Sequence, residues 1–151
     1  GVVLFAERNV YAQLPTDLAA EIRTMTGGYV LFAFLSTMLR EIVKDIEDMH
    51  GDEESNCRTL PIVFGVRAAK IWAGIFAAIL LVLMSALLYS LWQNAGYMAF
   101  SFALIAVISP LLVCIGLLNK ATKKHHYSQL SKLTKAIMVS GLLLLILIWK
   151  S

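Results

Sequence analysis

From Ile71 to Asn119 the chain runs for 49 residues without a single formal charge. A soluble fold has no place for so long an apolar run. A bilayer does, because each membrane span takes about 20 apolar residues and two spans with a turn between them fill this length. Composition agrees: apolar residues make up 59% and charged residues 15%, against roughly 45–50% and about 25% in an average soluble protein. The expected fold is therefore all-α, a polytopic transmembrane helical bundle. The net charge of +3 does not point to nucleic acid, since the basic residues border apolar segments as they do in membrane proteins.

Two cysteines, Cys57 and Cys114, cannot build a disulfide framework and have no metal-ligand spacing, so both read as unpaired thiols. No basic segment precedes an apolar run at the start, so no signal peptide is visible. The chain opens on GVVLF and not on Met. Residues 1–5 read as the tail of an earlier span or a short buried segment, and the N-terminus as a cut edge of a longer protein.

Four spans are expected, at 27–48, 67–92, 97–118 and 128–149. Residues 6–26 read as a loop and a short helix at the bilayer edge, with Thr16 as its N-cap. The first span begins GGYVLFAFLSTML and continues into charged REIVKDIEDM, reaching about His50. Gly51-Asp52 is expected to end it, and residues 52–66 to form a loop in which Pro61 resists a helix. Gln93–Gly96 reads as a tight turn and Ser109-Pro110 as a kink. Trp72, Tyr89, Trp92, Tyr97 and Trp149 fall near span ends, where amphipathic rings favour the headgroup level. The segment 93–96 has no Lys or Arg, whereas segments 40–70 and 119–135 have five each. Positive charge marks the cytoplasmic side. The chain is thus expected to be a multi-pass protein of the inner or plasma membrane, with residues 40–70 facing the cytoplasm.

The stretch KDIEDMHGDEESNCRTLPI, Lys44 to Ile62, holds six of the ten acidic residues, and none follows Glu54. On a helix of about 100° per residue, Glu41, Asp45, Asp48 and Asp52 share an arc of roughly 60°, provided the helix reaches Asp52; Glu47 points elsewhere. Such a stripe repels itself and crowds the negative end of the helix dipole. A bound cation offsets both effects, and ligands that are all oxygen suit Mg²⁺, which takes a few carboxylates together with phosphate oxygens. A solvated acidic face is the other reading, and it suits Glu53 and Glu54; Glu41 can also pair with Lys44 or Arg40. Lys44 and Arg58 are placed to hold phosphate oxygens or to snorkel at the membrane surface.

REIVKDIEDMHGD followed by RTLPIVFGVRAAK resembles the second Asp-rich motif of the UbiA superfamily of intramembrane prenyltransferases. The pattern K-D-x-x-D-x-x-G-D is met by Lys44, Asp45, Asp48, Gly51 and Asp52, and the downstream T-L-P and Gly by Thr59, Leu60, Pro61 and Gly65. The resemblance covers about 30 residues, and three spans follow the motif here as in the family. It implies Mg²⁺-dependent transfer of a prenyl group from a prenyl diphosphate to a lipid or aromatic acceptor. Asp45, Asp48 and Asp52 would be the catalytic metal ligands, and Lys44 and Arg58 would bind substrate. The REIVKDIED form with GD is similar to the branch that alkylates geranylgeranylglyceryl phosphate. The family's first motif, N-D-x-x-D-x-x-x-D, has no counterpart in residues 1–151. The chain therefore resembles the C-terminal part of such an enzyme, a partial fold of about four spans, and the missing N-terminal half becomes an expected partner. By itself the chain is expected to be inactive.

Two other functions compete. A CDP-alcohol phosphatidyltransferase also uses intramembrane Asp clusters, but its D-G-x-x-A-R string is absent. A non-catalytic, ion-binding or transport fragment would make the acidic face a cation path, without explaining the segment from Arg58 to Gly65.

Overall fold

A computed structural model describes residues 16–94, 97–122 and 124–150; the GVVLF segment lies outside them. The described chain is helical: α1 (Thr16–Glu54), α2 (Leu60–Asn94), α3 (Tyr97–Ala103), a π-helical turn (Leu104–Ile108), α4 (Ser109–Lys120) and α5 (Lys124–Lys150). Three segments are long and apolar enough to cross a membrane: Ile22–Glu54, Leu60–Ser90 and Phe100–Lys120. Helix α5 overlaps the fourth expected span in sequence but is not among these three. The chain divides into two compact units, 1–31 and 32–151. The described part of the first is helical, with Ile22, Met25, Val30 and Leu31 exposed.

In the second unit the rod formed by α3, the π turn and α4 contacts α2 on one side and α5 on another. Spacings of three and four residues build the core. Helix α2 buries Ala69, Ala73, Ala77, Leu80 and Met84 on one stripe. Its three alanines let backbones approach closely, as small residues do where helices pack in lipid. The rod buries Val107, Leu111, Cys114 and Leu118; α5 buries Tyr127, Leu130, Thr134, Ile137 and Leu144. On α5, Gly141 receives the ring of Phe32 from α1, and a Cβ at Gly141 would fall on Cε1 and Cζ of that ring. The exposed faces are apolar, with Ile71, Ile75, Ile79 and Val82 on α2 and Val139, Leu142, Leu143 and Ile146 on α5. Buried hydroxyls turn back to their own helix: Ser36 Oγ donates to Ala33 O at 3.2 Å and Thr134 Oγ1 to Ser131 O at 2.9 Å. This satisfies polar groups where no water competes.

Four boundaries differ from the sequence expectation. Residues 16–26 are not a separate helix: α1 continues through Gly27-Gly28, whose cost of about 1 kcal/mol each relative to Ala does not stop it. Gly51 does not end α1 either. The stop is Asn56, whose φ of 55° is left-handed. Asn56 N–H donates to Glu53 O at 3.2 Å and Cys57 N–H to Asp52 O at 2.9 Å. This double bond pattern is the Schellman closure, with Asn taking the left-handed position that is usually Gly.

The expected loop 52–66 is accordingly short, and α2 begins at Leu60. Pro61 falls in the first turn, where a missing N–H costs no helix bond. The chain breaks instead at Gly65 (φ 83°, ψ 155°), after one turn of helix. At Pro110 the adjustment is a π turn: Ser109 N–H donates to Leu104 O, five residues back. The extra residue makes room for a ring that cannot donate and would press on the preceding turn.

Candidate functional site

The Asn56 closure decides whether Asp52 belongs to the acidic stripe. With α1 helical to Glu54, Asp52 stays in register with Glu41, Asp45 and Asp48. The opposite side of the same helix is apolar and buried, at Leu35, Leu39, Ile42, Val43 and Ile46. The carboxylate stripe is centred about 140° away from it. The local fold follows from this amphipathic split: the apolar face packs and the acidic face is left for a ligand or another chain segment. Glu41 is exposed; Asp45, Asp48 and Asp52 are partly buried; Glu53 and Glu54 are exposed, in keeping with their reading as solvated groups.

Two ion pairs mark the stripe. Lys44 Nζ lies 3.6 Å from Asp48 Oδ2, one turn apart, with both side chains about half exposed. Arg40 pairs with Glu41. Each leaves part of a carboxylate compensated within the helix, and surface pairs contribute only about 0–1 kcal/mol. Lys44 therefore sits against the stripe. Arg58 lies exposed in the segment between α1 and α2, with no hydrogen bond or ion pair among the described residues. Its next neighbour, Thr59, has a buried hydroxyl oxygen without a partner, although Thr59 O accepts from Ile62 and Val63 N–H. An unmatched buried hydroxyl costs about 1–3 kcal/mol.

The fit to a metal follows from the donor set. Among the described residues no group of three or more His, Cys, Asp or Glu is gathered as a metal cage. One helix stripe presents its carboxylates in file, about one turn apart, so cations held along it would share the three aspartates and need further oxygens from a ligand. That is how Mg²⁺ is held with phosphates, and the all-oxygen stripe with Lys44 beside it suits that ion.

Cys57 is free and exposed, Cys114 free and buried, as expected of unpaired thiols. Trp72, Tyr89, Trp92 and Tyr97 are exposed, and the Trp92 ring meets Tyr97 edge-on at 6.4 Å between centroids. Lys70, one of the five basic residues of segment 40–70, turns inward: Nζ donates to Ala121 O and lies 5.7 Å from the Tyr127 ring centroid. Tyr127 OH donates to the same carbonyl at 3.0 Å. Nothing local in the sequence signals that link, which joins residues 51 positions apart.

The pattern of the UbiA prenyltransferase family matches residues 12–148. The chain is 36% identical over 113 residues to a digeranylgeranylglyceryl phosphate synthase of Methanospirillum hungatei, covering 73% of this chain and 38% of that protein. To the protein of the same name from Methanosphaera stadtmanae it is 33% identical over 119 residues, covering 77% and 41%. A shorter stretch of 52 residues is 48% identical to the protein of that name from Pyrococcus furiosus, covering 34% and 19%. The chain thus spans about two fifths of the length of the first two relatives. No solved structure matches it.

Proposed function

Because the chain belongs to the UbiA prenyltransferase family, we propose that it supplies the diphosphate-holding part of a membrane enzyme that moves a prenyl group from a prenyl diphosphate to a lipid acceptor. The observation that carries this reading is the stripe of Glu41, Asp45, Asp48 and Asp52, kept in one helical register by Asn56 and turned away from the packed face of α1.

Asp45, Asp48 and Asp52 are the proposed metal ligands. Mg²⁺ held there would neutralise the diphosphate and ease departure of the leaving oxygen. Lys44, beside Asp48, and Arg58, beside the unmatched Thr59 hydroxyl, are the proposed diphosphate contacts, with Arg58 suited to grip two oxygens at once. Charge grows on the leaving group as its bond to the prenyl carbon breaks, and fixed cations near that oxygen lower the barrier. The acceptor supplies the attacking atom, so no nucleophile of this chain is needed.

The acceptor we propose is a prenylated glyceryl phosphate, the lipid class in the names of the relatives. Those relatives are longer, and we propose that a second acidic motif, absent from these residues, completes the site from the cytoplasmic side. The test uses the complete natural reading frame, purified in detergent with Mg²⁺ and labelled geranylgeranyl diphosphate. Labelled diether from geranylgeranylglyceryl phosphate supports the reading. Label on an aromatic acceptor alone reassigns the acceptor, and failure to bind or turn over any prenyl diphosphate overturns the proposal.

A further inference from the structure

Helix α5 carries a second, opposite charge pattern. At about 100° per residue, Lys124, Ser128, Lys132 and Lys135 fall within an arc of about 80°. The three lysines are exposed, as is His125 at the edge of the arc. The buried side of α5, from Tyr127 through Leu130, Thr134 and Ile137, faces away from them. None of the three lysines has an ion-pair partner among the described residues. No Asp or Glu follows Glu54, so α2, the α3–α4 rod and α5 have no carboxylate to offer them.

Their depth narrows what can pair with them. Lys132 and Lys135 stand roughly 12 and 16 Å along the axis from Lys124. Beyond Lys135 the uncharged run Ala136–Trp149 holds 14 residues, fewer than the ~20 of a full span. The lysine face therefore begins outside the bilayer and descends through the headgroup layer, with flexible stems that let each ammonium reach toward phosphate depth. An ammonium there without a counter-charge is costly.

The upper end of the face is held in place. Lys70 and Tyr127 both donate to Ala121 O, and Thr122 N–H donates to His126 Nδ1 at 3.3 Å. These bonds tie the start of α5 to the end of α4 and to α2. Lys70 is engaged in that latch and does not join the surface.

We propose that the Lys124–Lys132–Lys135 face of α5 is a docking surface for anionic phospholipid headgroups of the adjoining leaflet. Three ammonium groups spaced over about three turns match a column of lipid phosphates better than one soluble anion. The inference does not rest on prenyl transfer and stands or falls separately from it.

The test is lipid selectivity. The protein with its complete natural reading frame is reconstituted in phosphatidylcholine bilayers, and spin-labelled phosphatidylglycerol is compared with spin-labelled phosphatidylcholine for the motionally restricted fraction. Wild type should prefer the anionic probe, and added salt should weaken the preference. Each lysine near an anionic surface contributes about fivefold in affinity, so K132Q/K135Q should lose most of the preference, while K132R/K135R should keep it and control for folding. Excess inorganic phosphate should leave the preference intact; displacement by it would make the face a site for soluble anions and overturn the proposal. So would a wild type without preference, or a K132Q/K135Q protein equal to wild type. If that double variant fails to insert, K124Q alone gives the same readout.

Discussion

The backbone N–H of Cys57 donates to the carbonyl of Asp52 across 2.9 Å, and this bond exists because Asn56 between them turns left-handed. A candidate metal ligand is therefore held by a helix cap. Substituting a residue that resists φ near 55° should loosen the last turn and let Asp52 leave the register of Asp45 and Asp48. Asn56→Val should lower stability by about 1–2 kcal/mol, whereas Asn56→Gly should be neutral or slightly stabilising. Thermal unfolding in detergent separates the two. Equal midpoints for the Val and Gly variants would show that the cap carries no strain.

Gly65 poses a different backbone demand. Its φ of 83° with ψ of 155° lies outside the left-handed helical well that Asn tolerates, in a region open to Gly almost alone. A Cβ there meets nothing within 4 Å, so any loss comes from the backbone and not from a clash. Gly65→Ala and Gly65→Asn should both cost about 1–3 kcal/mol, in contrast to position 56, where Asn is native. Unfolding midpoints of the two variants read this directly, and an Asn variant as stable as wild type would contradict it.

At Gly141 the demand is steric. A methyl group there would strike the Phe32 ring, and overpacking of this kind costs about 1–3 kcal/mol. Gly141→Ala should destabilise the α1–α5 contact, and Phe32→Leu, by shortening the side chain, should recover much of that loss in the double variant. A double-mutant cycle on thermal stability gives the coupling. Strict additivity would mean that the ring and the glycine do not touch in the membrane.

The helical class and three membrane-length apolar helices were legible because their signals are long: the charge-free run from Ile71 to Asn119 cannot be read as a soluble fold. The acidic register was legible because Asp45, Asp48 and Asp52 repeat at helical spacing. The boundaries were not. Gly51 looked like the natural stop, yet a glycine with ordinary helical angles terminates nothing, and Asn56 does so through two backbone bonds that local composition does not announce. Pro61 looked like a loop residue because the sequence cannot show that it falls in a first turn. The inward turn of Lys70 was not legible because its acceptor, Ala121 O, is a backbone group brought near only by packing.

The proposed metal role separates the acidic residues by position. Asp45, Asp48 and Asp52 share one face of α1, whereas Glu53 is exposed and lies off that face. In the protein expressed with its complete natural reading frame, replacing any of the three aspartates by Ala should remove an oxygen from a Mg²⁺–diphosphate clamp. By analogy with losing one electrostatic donor at an active site, the cost is about 2–4 kcal/mol in the barrier, or about 30- to 1,000-fold in rate. Glu53→Ala should change the rate by less than about twofold, since an exposed carboxylate away from the stripe contributes little. Asp48→Ala has a second effect, because it frees Lys44 from its 3.6 Å pair. Lys44→Ala in the Asp48→Ala background should then add less than it does alone, and this non-additivity reports their shared contact. Membrane insertion is measured beside turnover, so that loss of protein is not mistaken for loss of chemistry. If Asp45→Ala and Asp48→Ala insert normally and keep near-full activity while Mg²⁺ is still required, the metal lies elsewhere and the acidic stripe is a solvated face.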